Sequence, residues 1–108
     1  AIIDRNKLQI SGGTEEVMPL ESLVDKWKAF GWDVIEMNGD EIEDIVKTLD
    51  SIDTEAEAPH MVIAHTTKGK GVSFMENERK WHHGVPSEEQ YRTALREIDA
   101  RIAALSAN

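Results

Sequence analysis

The segment Met61-Val62-Ile63-Ala64 limits the fold more than any other stretch of the chain. Four consecutive apolar residues leave no polar face, so a strand built from them must be covered on both sides, as in the interior of a parallel sheet. Two further segments read as its partners. Ile2-Ile3 has the β-branched character of the end of a buried strand, and the polar step Asp4-Arg5-Asn6 follows where that strand leaves the sheet. Trp32 to Met37 reads as another strand, closing at Asn38-Gly39.

Helical patterns fill the intervals. Pro19 suits the first position of a helix, and Leu20, Leu23, Val24, Trp27 and Phe30 follow as one apolar stripe that Gly31 stops. Asp40 with Glu43 makes a capping-box pattern for a second helix, which carries Ile42, Ile45, Val46 and Leu49 inward and ends near Ile52. Ser87 with Gln90 makes another capping box. Tyr91, Leu95, Ile98, Ile102 and Leu105 then mark an amphipathic helix over 87–106. Ser11-Gly12-Gly13 reads as a turn, Thr14 to Met18 as a polar loop or single turn, and Asp53 to Ala58 as a linker closed by Pro59. The alternation β-α-β-α-β-loop-α predicts an α/β fold, a parallel sheet with flanking helices and right-handed crossovers.

Charge and composition remove several classes of function. With 21 carboxylates against 12 Lys and Arg, net −9, chain-wide affinity for nucleic acid or an anionic membrane surface is not expected. There is no cysteine, hence no disulfide framework or thiolate chemistry, and no apolar run of membrane-spanning length. The default reading is a soluble, cytoplasmic protein. The 108 residues make one domain or part of one, and the opening inside a strand suggests that the domain 1–108 is incomplete.

In a parallel sheet the carboxyl ends of the strands share one edge, where ligands bind. That edge receives Asn6, Asn38-Gly39 and the segment from His65 to Gly71. Asn6 reads either as a turn residue or, with a nearby carbonyl, as a neutral oxygen ligand for Mg²⁺ or Ca²⁺. Lys68-Gly69-Lys70-Gly71 reads as a basic turn or as an anion cradle of backbone amides. It lacks the spacing of a P-loop, and Gly-x-Gly-x-x-Gly is absent. The stretch from Lys68 to Pro86 has no periodicity, and loops of that length are often functional. Among the four histidines, His60 and His65 are spaced for opposite faces of a strand, and adjacent His82 and His83 are awkward for sharing a metal. One of the latter pair can instead orient a substrate, or the two can be one packed and one exposed imidazole. The carboxylates fall mainly on helix faces and read as surface solvation rather than an acid/base pair.

Taken together, Ile3 to Ile10, Gly13 to Met18, Lys26 to Trp32, Ile63 to Asn77 and Trp81 to Pro86 resemble the second half of the cofactor-binding domain of transketolase. The likeness is greatest to the separate N-terminal subunit of split bacterial and archaeal transketolases. It implies thiamine diphosphate and a divalent metal, Mg²⁺ or Ca²⁺, bridging the diphosphate to protein. Asn6 falls on the family's metal-ligating Asn, and Leu8 on the position whose backbone carbonyl is also a ligand. Ile10 falls where the family lines the cofactor, and Lys68 on a position beside it. An ungapped match places the functional histidine on His82, while aligning on His-Gly places it on His83. The resemblance implies transfer of a two-carbon ketol unit from a ketose phosphate to an aldose phosphate, a pentose-phosphate-pathway reaction. The family's Gly-Asp-Gly segment, with its Asp ligand, is absent from this sequence. So is the pyrimidine-binding domain, whose Glu helps to activate the cofactor. This chain by itself is therefore expected to be inactive, part of a homo- or hetero-oligomer. 1-Deoxyxylulose-5-phosphate synthase shares the fold and cofactor, and a non-catalytic module that keeps the fold is the other alternative.

Overall fold

The computed structural model describes residues 1–107, which form two compact units, one over Ala1–Thr66 and one from Thr67 onward. In the first unit, β1 (Ile2–Arg5), β4 (Asp33–Asn38) and β5 (His60–His65) form a parallel sheet in the order β1-β5-β4. The apolar run is its central strand. Val62 pairs with Ile2 and Ile35, and Ala64 with Asp4 and Met37. Met61, Val62, Ile63 and Ala64 are all buried, as a strand covered on both faces requires. Burial of Met61, Val62 and Ile63 contributes roughly 1.5–3 kcal/mol each relative to exposure.

Strand alternation sorts the sheet into two faces. Val62, Ala64 and Met37 share one face and form a core cluster against which Ile45 and Ile52 pack. The other face carries Ile63 and, toward the carboxyl ends, Arg5, Glu36 and His65.

Several local expectations are corrected. Ile2 is 59% exposed, not buried, because β1 pairs on one side only, with β5. The turn at Ser11-Gly12-Gly13 is a small hairpin, β2 (Leu8–Gln9) with β3 (Gly12–Gly13), followed by the single turn α1 (Thr14–Val17). Pro19 does not open a helix. α2 spans Leu23–Ala29, with Ser22 as N-cap accepting the Asp25 N–H, while the Leu20 and Glu21 amides are held by the Glu15 carboxylate. The helix ends as expected, with Gly31 N–H bonded to Lys28 O and Trp32 N–H to Trp27 O. Trp32 also packs edge-on against Trp27, ring centres 5.1 Å apart.

Asp40 is not the cap of α3 (Ile42–Asp50). Its N–H is taken by Asn38 Oδ1, and Glu41 stands at the cap position with no side-chain cap bond. The inward face of that helix is Ile45 and Thr48, whereas Ile42, Val46 and Leu49 are exposed. In the second unit, a 3₁₀ turn (Arg79–His82) precedes α4 (Glu88–Ser106), whose capping box between Ser87 and Gln90 forms as read. The stripe from Tyr91 to Leu105 on α4 is exposed. Among the described residues no helix is long and apolar enough to cross a membrane.

Candidate functional site

Asn6 stands at the first position beyond β1, at the carboxyl edge of the sheet. Its Oδ1 accepts the Leu8 N–H at 2.9 Å across Lys7, which takes a left-handed φ of 64°. The turn reading of Asn6 is borne out, and it is compatible with the ligand reading because an amide oxygen has a second lone pair. Lys7 O is fixed in turn by the Thr14 N–H at 2.9 Å. Ile10 sits at the tip of the small hairpin and is 70% exposed, an apolar side chain presented outward.

Behind this loop lies a feature that the sequence reading missed. Arg5 is 3% exposed, and its guanidinium is bonded to three residues in two segments of the chain. It donates to Thr14 Oγ1 at 2.8 Å, to Glu15 Oε1 at 2.8 Å, and twice to Glu21 Oε1 at 3.0 and 2.6 Å. Glu21 is held below the usual carboxylate range chiefly by that hydrogen bond from Arg5. Glu15 is also held low, first by the Leu20 N–H and less by Arg5. The signal was present in the two-residue period, because Arg5 shares the face of Ile3, which points into the protein.

The other strand ends are also furnished. His65 Nε2 lies 2.7 Å from Glu36 Oε2, and Thr66 Oγ1 donates to Asp4 Oδ1. Asn38 is tied by its N–H to Asp44 Oδ2 at 2.6 Å. Gly39 donates its N–H to His65 O at 2.8 Å, and a Cβ there would lie 2.6 Å from Thr66 Cγ2, so only glycine fits without movement.

In the second unit, Lys68 begins a closed loop whose end returns as the Asn77 N–H, bonded to Lys68 O at 2.9 Å. Gly69 has φ 75°, and a Cβ would meet Met75 O at 2.5 Å. Two amides of the cradle read over Lys68 to Gly71, those of Lys70 and Gly71, are bonded within the loop, as is the amide of Val72 after it. Lys70 N–H goes to Thr67 O, Gly71 N–H to Glu76 Oε1, and Val72 N–H to Gly69 O. The loop thus spends those donors on its own shape. Further along, Trp81 Nε1–H donates to Phe74 O at 2.9 Å and its ring packs on Phe74. His82 ends the 3₁₀ turn, His83 follows it, and the two exposed rings meet edge-on at 4.4 Å. Ser73 is anchored to α4, with both its N–H and Oγ–H donating to the Glu97 carboxylate. Asn6, Leu8 and Ile10 thus belong to the first unit, and Lys68, His82 and His83 to the second.

Neutral oxygens such as an Asn side-chain amide or a backbone carbonyl are the donor type that hard cations such as Mg²⁺ or Ca²⁺ take. Among the described residues no group of three or more His, Cys, Asp or Glu side chains could hold a metal ion.

A parallel α/β sheet that brings Asn6, Asn38 and His65 to its carboxyl edge defines a protein of the class that binds ligands there. Residues 1–99 match the family model for the transketolase, thiamine diphosphate binding domain, and the chain belongs to that family. It is 67% identical over 105 residues to an apulose-4-phosphate transketolase subunit of Phocaeicola vulgatus, covering 97% of this chain and 37% of that protein. It is 39% identical over 99 residues to 6-deoxy-6-sulfo-D-fructose transketolase subunit SqwG of Clostridium sp., covering 92% of this chain and 36% of that one. The crystal structure of transketolase from Campylobacter jejuni superposes with a TM-score of 0.77 at 31% identity, over 89% of this chain and 15% of that chain. The chain thus spans little more than a third of the two curated subunits.

Proposed function

We propose that residues 1–108 are the C-terminal part of the thiamine-diphosphate-binding domain of a transketolase subunit. That subunit works with a partner subunit supplying the pyrimidine-binding domain, and the pair transfers a two-carbon ketol unit from a ketose phosphate to an aldose phosphate. The observation that carries this reading is the Asn6 turn, where a neutral amide oxygen is fixed by the Leu8 N–H at the carboxyl edge of the sheet. The 67% identity to an apulose-4-phosphate transketolase subunit makes apulose 4-phosphate the first sugar phosphate to test.

Thiamine diphosphate, when bound, supplies the carbon nucleophile and electron sink for cleaving the bond beside a ketose carbonyl. The residues of this chain bind and orient. Asn6 Oδ1 and Leu8 O would hold the divalent cation, which would supply positive charge for the diphosphate, with further ligands from outside residues 1–108. Ile10 lines the cofactor with apolar surface, and Lys68 places a positive charge beside it. His82 hydrogen-bonds the donor sugar's hydroxyls and carries a proton to or from them.

The test uses the complete subunit mixed with its partner, thiamine diphosphate and Mg²⁺. Release of the shortened carbonyl compound from the ketose phosphate (a ketone in the case of branched apulose 4-phosphate), dependent on both subunits and on an aldose acceptor, is the expected outcome. His82→Ala should lower kcat by about 100-fold or more, the range of a lost proton-transfer group, while His83→Ala stays within about threefold. Release of CO₂ from pyruvate in place of ketol transfer would assign the chain to the 1-deoxyxylulose-5-phosphate synthase type. No turnover of any ketose phosphate would leave a non-catalytic module.

A further inference from the structure

We propose that Arg5 and Thr14 form a clamp that aims the Asn6 and Leu8 oxygens, making both of them positioning residues for the divalent cation. The inference rests on the transketolase reading only for the cation those oxygens meet. The clamp itself is visible in the hydrogen bonds.

Thr14 is 92% buried and holds the loop from both sides. Its N–H is bonded to Lys7 O at 2.9 Å, and its Oγ1 accepts from Arg5 at 2.8 Å. Between the two contacted residues, Arg5 and Lys7, stands Asn6 with its amide oxygen, and Lys7 has the left-handed φ at which the Leu8 N–H reaches that oxygen at 2.9 Å. Arg5 is fixed from the opposite side by Glu15 and Glu21, so the guanidinium cannot swing without breaking charge-assisted bonds at 2.6–3.0 Å. The turn that holds the candidate metal oxygens therefore has a buried anchor immediately before it and a second anchor, Thr14, after it. Groups that orient metal ligands in this way typically account for 10–100-fold in metal affinity.

Thr14→Val keeps the shape of the side chain and the backbone bond to Lys7, and removes the hydroxyl that accepts from Arg5 and donates to Glu15 Oε1 at 3.3 Å. Thr14→Ser restores that hydroxyl. Both are compared with the unaltered complete subunit, joined to its partner in the presence of thiamine diphosphate. Mn²⁺ is the probe, its binding followed by electron paramagnetic resonance, and Mg²⁺ half-saturation and kcat are taken from the ketol-transfer assay. The expected result is Mn²⁺ binding weakened about tenfold or more by Thr14→Val. The Mg²⁺ half-saturation point should rise in step, kcat at saturating Mg²⁺ should stay within about twofold, and Thr14→Ser should match the parent. Wild-type Mn²⁺ affinity in Thr14→Val overturns the clamp while leaving the transketolase reading intact. So does a kcat loss with unchanged metal dependence, or a Thr14→Ser protein as weak as Thr14→Val. A parent protein that binds no Mn²⁺ overturns the metal reading itself, and the clamp with it.

Discussion

A guanidinium as buried as that of Arg5 costs several kcal/mol unless its N–H groups find partners, and loss of one partner from such a cluster is strongly destabilising. Glu15, Glu21 and Thr14 are those partners. The consequence for acid stability follows from linkage. Glu21 and Glu15 are held below the ordinary value of 4.5 in the folded protein, so between the two values the unfolded chain binds more protons. Their contribution is fully present above about pH 4.5 and drains away as pH falls through the depressed folded values. Glu21→Gln should therefore lower Tm at neutral pH and flatten the fall in Tm between about pH 5 and pH 3. Parallel Tm-against-pH curves for the two proteins would contradict this. Residues of this kind are hard to read in sequence, because Glu15 and Glu21 look like any solvated carboxylates until a buried cation is found opposite them. Asn6 was easier, since its place after a β-branched strand already selected a turn or a ligand, and its amide oxygen has lone pairs for both.

Elements were legible where side-chain pattern and cap agreed, and less so where they competed. The Ser87–Gln90 capping box opens α4 as expected, with Gln90 N–H on Ser87 Oγ at 3.3 Å and Ser87 N–H on Gln90 Oε1 at 2.9 Å. Ser87→Ala should release about 1 kcal/mol of that end. Measured as amide hydrogen exchange of Glu89 to Tyr91 in the complete subunit, this is about fivefold faster local opening, with distant amides unchanged. Unaltered exchange in that turn would show that the cap contributes nothing. At α2, Pro19 offered a plausible start, but Glu15 holds the Leu20 and Glu21 amides in a non-helical bend and Ser22 supplies the cap. At α3, Ile42, Ile45, Val46 and Leu49 make a helical apolar pattern, and of these Ile45 packs on the core cluster as read while the other three are exposed and Thr48 is buried. Periodicity identifies a helix and its stripe, and cannot say which covering surface each part of the stripe meets. The hairpin β2–β3 left no trace because two-residue strands are too short to show alternation.

At the scale of the whole molecule, the apolar run at Met61–Ala64 led correctly to a central parallel strand, and the parallel pairing brings the Asn6, Asn38 and His65 ends to one edge. The net charge of −9 does not oppose a diphosphate there, because a divalent cation and local donors dominate at contact range while distant surface charge is screened. The family match over residues 1–99 and the Asn6 turn both support the proposal of a cation held by neutral oxygens of this chain. Calorimetric titration of thiamine diphosphate into the complete subunit with its partner, over a range of Mg²⁺ concentrations, tests this most directly. The titration is run with the parent protein and with Asn6→Ala. The expected result is Mg²⁺-dependent binding by the parent protein and a Mg²⁺ requirement at least about tenfold higher in Asn6→Ala. Absence of binding by the parent protein, or equal Mg²⁺ dependence in the two, would contradict the assignment of this chain as the metal-binding half of a transketolase cofactor site.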